Sequence, residues 1–450
     1  MTQRPATTER SFAFPKWLRR LSPARRGAFL CLADVIDKGR DAQAVLNAVP
    51  ALLGLNAVDR SLCTELVYGY CRLEGRLSGL AGFFLKKPEA LPLPVRRILA
   101  LAALELTTLD RIPDYASVSW AVDATRAGFG AGLAGLVNAV LRNICRLGSA
   151  ASDPAFFAGK LKDRTRFLSV WHSQPVWIIE HFLEKYPEER ALARLETFTA
   201  TPSAGLRVNM SRPGAELLAE AFSSASEARL GAALAFAPRN MPEAVNGESL
   251  ETLLADGRIS RQGFGAQETL HRLLEAGLSG PVWDACCGRG GKSCMLLERG
   301  VAVTLASDPN ARRLSGFRKE LERLKLPGPG LFLGDASMPS PRRAPDVILA
   351  DVPCSGLGTL ARRPDIKYHR SPADIERLVE LQERIADALT GMLRPGGRLA
   401  WLTCTLNPAE NESRTRAVLA KSGLELDYEF ETPSDSPGSE FFYAALLRKK

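Results

Sequence analysis

The sequence predicts two fold classes in one chain. An all-α domain occupies the first third, and an α/β domain with a mostly parallel, doubly wound sheet of seven strands occupies the last. Three observations carry this. From Ser22 to about Leu147, apolar residues recur at helical spacing. From Pro281 onward, short apolar runs alternate with helical segments, as strands and crossover helices do in a parallel sheet. Several of those runs end in an acid, and ligands bind at the carboxyl edge of an open α/β sheet.

The 450 residues suffice for two or three domains. With 46% apolar and 24% charged residues, the composition is that of ordinary globular protein. A net charge of +9 favours a polyanionic partner, nucleic acid first. Before residue 27, Arg4, Arg10, Lys16, Arg19, Arg20, Arg25 and Arg26 face one acid, Glu9. Such an arm can track phosphates, or it could equally be a disordered tail. No run has the length of a signal-peptide core or a membrane span, so the chain reads as cytoplasmic. The nine cysteines are scattered without a Cys-x-x-Cys pair, which argues against a disulfide framework and against zinc. Cys31, Cys63, Cys71 and Cys145 sit in helical apolar patterns and read as core. The four histidines form no helical pair, so no metal site is expected.

The elements follow in order. Ser22-Pro23 is a cap with proline at the first helical position. Helical spacing continues over residues 59–80, 94–109 and 117–126. In the last run Leu133, Leu136, Val137, Val140, Leu141, Ile144 and Leu147 form one stripe. After a small-residue linker from Ala150 to Pro154, a mixed segment holds a short strand at Leu206–Asn209 and a helix from Gly214 to Ser223. The strands of the final domain are expected at residues 281–286, 301–308, 330–334, 346–351, 398–403, 424–431 and 441–448. The run ending in Asp351 is apolar throughout, as a strand buried on both faces requires. The clearest helix, Ser371 to Leu393, opens on Ser-Pro-Ala-Asp, close to a capping box.

Chemistry concentrates at the strand ends. The first ends in Asp284-Ala-Cys-Cys-Gly-Arg-Gly-Gly-Lys-Ser293, whose glycines allow close backbone approach to a ligand. Gly291-Lys292-Ser293 fits a phosphate-binding loop, but Cys286 stands where its first glycine belongs, and the loop is not Gly-x-Gly-x-x-Gly either. A nucleoside-cofactor loop is the third reading. Asp308, 24 residues after Asp284, stands near the spacing of a ribose-binding acid. Asp335, after the third strand, is placed to meet an adenine amino group. Acids at one sheet edge suit a cationic adenosyl cofactor and repel a triphosphate. Asp351-Val-Pro-Cys354 is either a reactive centre or a strand end with an incidental cysteine.

Two sets of motifs resemble known families. Glu65-Leu-Val-Tyr-Gly69, Leu109-Asp-Arg-Ile-Pro113 and Gly135-Leu-Val-Asn-Ala-Val-Leu-Arg142 resemble the NusB-type RNA-binding helical domain. The loop Cys286 to Lys292, Asp308, Asp335, Asp351-x-Pro-Cys354, Arg363-Pro-Asp-Ile-Lys367, Thr403-Cys404-Thr405 and Asn407-Pro-Ala-Glu-Asn411 resemble the RsmB/Sun-type RNA cytosine-5 methyltransferases. Arg207-Val-Asn209, Gln267 and Phe441-Phe-Tyr-Ala444 fit the same family.

The resemblance implies a Rossmann-like methyltransferase domain using S-adenosyl-L-methionine. Its cofactor site would comprise Cys286, Cys287, Gly288, Arg289, Gly290, Gly291, Lys292, Asp308, Asp335 and Asp351. It also implies Cys404 as nucleophile on carbon 6 of cytosine, Cys354 as the group that assists adduct breakdown, and Asp351 at the ring nitrogen. Lys292 would lie beside the reacting centre. The expected organisation is a basic arm (1–21), a NusB-like domain (22–149), a linker and small α/β subdomain (150–262) and the catalytic domain (263–450). The expected substrate is small-subunit ribosomal RNA, with transfer RNA as the alternative, and the enzyme is expected to be monomeric. A catalytically weakened RNA-binding assembly factor is the second class. One departure motivates it: Gly288-Arg289 replaces the Ala-Pro usual in the family's loop. Ser439-Glu440 likewise stands where the family has Asp-Gly.

Overall fold

The computed structural model describes residues 14–339, 341 and 343–450. Arg4, Glu9 and Arg10 of the basic arm lie outside the described residues. The chain divides into two units, one ending at Ile179 and one beginning at Glu180.

In the first unit the long helix Ala57–Gly82 packs against Pro23–Leu32 and Leu93–Thr108. The helix Leu93–Thr108 is buried almost all round, from Val95 through Leu104, as a central helix must be. Asp114–Phe129 and Ala131–Leu147 pair beside it. Cys31, Cys63 and Cys71 are core residues as expected, but Cys145 is only half-buried. It lines a groove of about 450 Å³ between the last two helices. Part of the basic arm has a structural role. The Arg25 guanidinium donates to both oxygens of buried Glu105, at 2.7 and 2.9 Å, and Arg26 donates to the Leu18 and Leu21 carbonyls. Trp17 packs edge-on to Phe29, 5.1 Å between ring centres. Among the described residues no helix is long and apolar enough to cross a membrane.

The second unit begins with a four-stranded antiparallel sheet. Its members are β1 (Ala204–Val208), β2 (Ala228–Leu230), β3 (Ala233–Phe236) and β6 (Ile259–Arg261), in the order β2-β3-β1-β6. A two-stranded hairpin of β4 (Ala244–Val245) and β5 (Glu248–Ser249) is inserted before β6. Then come β7 (Val282–Asp284), β8 (Val303–Asp308), β9 (Gly330–Leu333), β10 (Val347–Asp351), β11 (Arg398–Thr403), β12 (Leu424–Glu431) and β13 (Tyr443–Lys449). They form one sheet in the order β12-β13-β11-β10-β7-β8-β9. It is parallel except for β13, which runs antiparallel to both of its neighbours. Seven expected strands are therefore present, with ends shifted by up to two residues. The chain starts in mid-sheet at β7, builds to one edge, and returns to the other side of β7. The β7–β10 boundary is thus the topological switch point, where such sheets open a ligand crevice.

Both faces of the sheet are covered. On β10, Ile348 and Ala350 pack with Trp283, Trp401 and Leu389, while Val347 and Leu349 face Leu270, Leu296 and Leu402. That two-sided burial explains the uniformly apolar run. The helix Pro372–Met392 starts with the full capping box formed by Ser371 and Asp374.

Glu105 tests how the first unit is tied together. Besides Arg25 it accepts from the Ser117 hydroxyl at 2.6 Å and the Trp120 indole N–H at 2.9 Å. Glu105→Ala should lower unfolding free energy by about 3–5 kcal/mol, the cost of breaking a buried pair on one side. Urea titration followed by Trp120 fluorescence checks this, and a loss below about 1 kcal/mol would contradict a joining role.

Candidate active site

The carboxyl ends of β7, β8 and β10 each place one acid at the switch point. Asp284 accepts from the Ser293 hydroxyl at 2.5 Å and the Cys286 N–H at 3.3 Å. The loop between them turns through Gly288 (φ 56°) and Gly290 (φ 80°) into the helix Gly291–Glu298. At Gly290 a Cβ would run into the Phe317 ring, so only glycine fits. Asp308 accepts the Gly288 N–H at 3.1 Å and the Asn310 N–H at 2.8 Å, which fixes the loop against β8. Cys286 and Cys287 remain protonated thiols because burial raises both. Asp335 follows β9, is exposed, and accepts from both the N–H and the hydroxyl of Ser337 at 2.8 Å. The exposed Arg289 side chain lies over Gly316 of the helix Ala311–Leu324.

On the other side of the switch point, Lys292 Nζ donates to Asp351 Oδ2 at 2.5 Å, 5.6 Å from the centre of the Phe442 ring. Burial works to strip the proton from Lys292, but the Asp351 charge and hydrogen bond outweigh it and hold the lysine above its usual range. The lysine is therefore a cation here. Cys404 also acts on it in the same direction, so the thiol lies within electrostatic reach.

The thiols meet because β10 and β11 are neighbours. Asp351 pairs with Leu402 in the parallel register, and Val352 N–H donates to Leu402 C=O at 3.1 Å. A few residues beyond, Cys354 Sγ and Cys404 Sγ stand 3.2 Å apart, both as free thiols. The hydrogen bond to Cys404, with burial behind it, pushes the Cys354 thiol well above its ordinary range. Either thiol can donate across this contact, and Cys354 Sγ also accepts the Cys404 N–H at 3.3 Å. Gly358 ties the Cys404 segment to Phe441: its N–H donates to Cys404 C=O at 3.1 Å, and its C=O accepts from Phe441 N–H at 2.8 Å.

Other matched motif residues support the site from behind. Arg207 on β1 is buried, pairs with Glu298 at 2.6 and 2.9 Å, and donates to the Gly291 carbonyl at 3.1 Å. It anchors the helix that carries Lys292. Gln267 donates to the Gln262 and Leu206 carbonyls. Glu440 is buried against Gly263 and Gly265 and accepts from Arg362 at 2.8 Å. Asp284 and Glu410 were passed over in the assignment of roles. The signal for Asp284 was its place at the end of β7, shared with Asp308 and Asp351.

Burial pushes the Asp284 carboxyl up to about 7, against the lowering effects of Ser293 and Lys292. Its unfolded value is about 3.9. The folded protein therefore keeps a proton that the unfolded chain releases, and this contribution fades as pH rises from about 4 to about 7. Relative to Asp284→Asn, the wild type should lose stability steadily across that window and stay level above it. Urea unfolding of both proteins at several pH values measures the difference, and a pH-independent difference would refute the assignment.

Comparison with known proteins places this geometry. Residues 273–439 match the family model for the 16S rRNA methyltransferase RsmB/F, and residues 22–146 match that for the NusB family. The ribosomal RNA small subunit methyltransferase B of Vibrio vulnificus is 31% identical, over 94% of this chain and 99% of its own. A protein of Synechocystis sp. described as a probable ribosomal RNA small subunit methyltransferase B is 30% identical, over 88% of this chain and 89% of its own. The crystal structure of PH0851 shares the fold at a TM-score of 0.67 and 16% identity, covering 96% of this chain and 99% of that one. The glycine loop flanked by Asp284 and Asp308 lies at the same sheet edge as the strands that lead to the thiols. The chain belongs to the RsmB/F methyltransferases, with a NusB-family domain ahead of the catalytic one, and it is an S-adenosylmethionine-dependent RNA cytosine-5 methyltransferase.

Proposed function

We propose that the enzyme methylates a cytidine of 16S ribosomal RNA through a covalent adduct, with Cys404 as the nucleophile. The observation that supports this most is the Cys354–Cys404 approach of 3.2 Å beside the Lys292–Asp351 pair. The choice of RNA rests on the NusB-family domain and on what the relatives are named for.

Carbon 5 of cytosine is a weak nucleophile. A thiolate bonding to carbon 6 makes it enamine-like, and the base must be held out of its stack for that attack. With Cys354 as the donor in the 3.2 Å contact, its hydrogen bond would stabilise the sulfur of Cys404 as negative charge develops there. Asp351 meets the ring nitrogen and shares a proton with it as electron density moves there. Lys292 fixes Asp351 and supplies positive charge beside the ring. S-adenosylmethionine supplies the electrophilic methyl group when bound. The loop Cys286, Cys287, Gly288, Arg289, Gly290 and Gly291, with Lys292, Asp308, Asp335 and Asp351, would hold it. After transfer, water takes the carbon 5 proton, the C–H electron pair re-forms the carbon 5–carbon 6 double bond, and Cys404 leaves as the thiolate. Cys354, a protonated thiol in contact with Cys404, assists that expulsion. In this reading residues 22–149 grip RNA, residues 263–450 carry the chemistry, and residues 150–262 connect them.

Incubation with methyl-labelled S-adenosylmethionine should label carbon 5 of a cytidine in 16S rRNA. Label in transfer RNA alone would move the substrate, and label in neither would sink the reading. Cys404→Ala should reduce transfer by at least about 10³-fold and leave no adduct. Cys354→Ala should slow adduct breakdown by about 10²–10⁴-fold, so that a protein–RNA species survives denaturing electrophoresis. Adduct with the Cys404 variant but not the Cys354 variant would exchange the two roles.

A further inference from the structure

Glu410 is a carboxylate that the mechanism above does not use, and it is fully buried. It accepts from the Ser355 N–H at 2.8 Å, the Ser355 hydroxyl at 2.6 Å, Gln382 Nε2 at 2.9 Å and Asn407 Nδ2 at 3.1 Å. All of these donors are neutral. A buried carboxylate is retained without a cation only where converging hydrogen bonds compensate its lost hydration.

The donors are not scattered. Ser355 follows Cys354, and Thr405 follows Cys404. The two hydroxyls lie 2.6 Å apart, and Thr405 also stands 3.4 Å from the Glu410 carboxylate. One proton arrangement fits the shorter contacts and leaves the 3.4 Å Thr405–Glu410 approach unbonded. The Thr405 hydroxyl donates to Ser355, the Ser355 hydroxyl donates to Glu410, and the Asn407 N–H donates to Thr405 at 3.3 Å. The Gln382 amide that reaches Glu410 also donates to the Pro353 carbonyl at 2.9 Å, so both neighbours of Cys354 are held. Beyond the strand ends, this carboxylate clasps the two thiol loops.

We propose that Glu410 is a positioning residue that sets the separation of the Cys354 and Cys404 sulfurs, and thereby the rate at which the adduct is released. The first half rests on geometry alone. The second rests on the thiol roles given under Proposed function.

In Glu410→Gln, the new amide nitrogen faces Asn407 Nδ2, donor against donor. The double variant Glu410→Gln with Asn407→Asp reverses that pair and restores complementarity. Phenylarsine oxide reports the separation without RNA, because its arsenic bridges two adjacent thiols with loss of one water. The signal assigned to this pair is the part abolished by Cys404→Ala. Arsenical affinity should fall by about 10-fold or more in Glu410→Gln, and turnover by up to about 100-fold, the effect of an ångström-scale misplacement. The double variant should regain both. Affinity for S-adenosylmethionine should stay within about twofold, since that loop is held by other residues. Adduct should accumulate in Glu410→Gln, as with Cys354→Ala. Wild-type arsenical affinity in Glu410→Gln would overturn the proposal, as would a double variant no better than the single one. Restored spacing without adduct accumulation at any stage would uphold the positioning role and overturn the thiol roles instead. Should Glu410→Gln fail to fold, Ser355→Ala removes one hydroxyl from the same clasp, and unchanged arsenical affinity there would equally overturn the proposal.

Discussion

One register holds the site together. Asp351 on β10 lies opposite Leu402 on β11, and that pairing brings the two thiol-bearing loops out at the same height. Chains leaving two parallel strands at the same height must turn in the same layer. Cys354, three residues past Asp351, and Cys404, two past Leu402, therefore meet in one plane. A slip of one residue would send every side chain of β10 to the opposite face. Packing forbids that slip, because Ile348 and Ala350 fit one core and Val347 and Leu349 the other. The apolar sheet thus fixes where the two thiol loops begin, and the Glu410 contacts act beyond the strand ends.

The Lys292–Asp351 pair then sets the electrostatics. Asp284, Asp308 and Asp351 sit on adjacent strands, where carboxylates repel one another, and burial makes the repulsion stronger. The fold relieves it in three ways. Asp284 retains a proton near neutral pH, Asp308 is engaged by backbone N–H groups, and Asp351 faces an ammonium. Arg207 supports the arrangement from the small sheet, since it holds Glu298 and Gly291 at both ends of the helix that carries Lys292.

Much of this was legible in the sequence, for identifiable reasons. Strands of the sheet announce themselves because burial on both faces demands unbroken apolar runs, and the capping box at Ser371 is a local signal. The acids could be placed because they end those runs. The contact between the thiols was not readable from spacing, because it depends on β10 and β11 being neighbours across a long helical crossover. Arg25 read as part of a phosphate-tracking arm because nothing local reveals that Glu105, far along the chain, is its partner. Cys145 matched a core stripe by period, yet it falls at the edge of that stripe and is only half-buried. Glu410 sat within a recognised motif, but its role appears only when Ser355 and Gln382, from distant segments, converge on it.

The two departures from the family pattern can be weighed on the same physical terms. The first adds a cation near the site, and the second moves a carboxylate one position along the chain. Arg289 points outward and lies along the helix over Gly316, where the absence of a side chain leaves room for it. It therefore adds little positive potential inside the cofactor loop, where a cation would be repelled. Glu440 points inward, and burial raises its pKa while Arg362 and Lys292 work to lower it. Gly263 and Gly265 leave the space it fills, and Arg362 supplies the opposite charge at 2.8 Å. Arg289 is thus turned to solvent, and Glu440 is paired within its own neighbourhood. The altered loop is therefore no argument for a weakened enzyme, because the substitutions change the rim of the site while the register, the thiol pair and the lysine–aspartate contact remain intact.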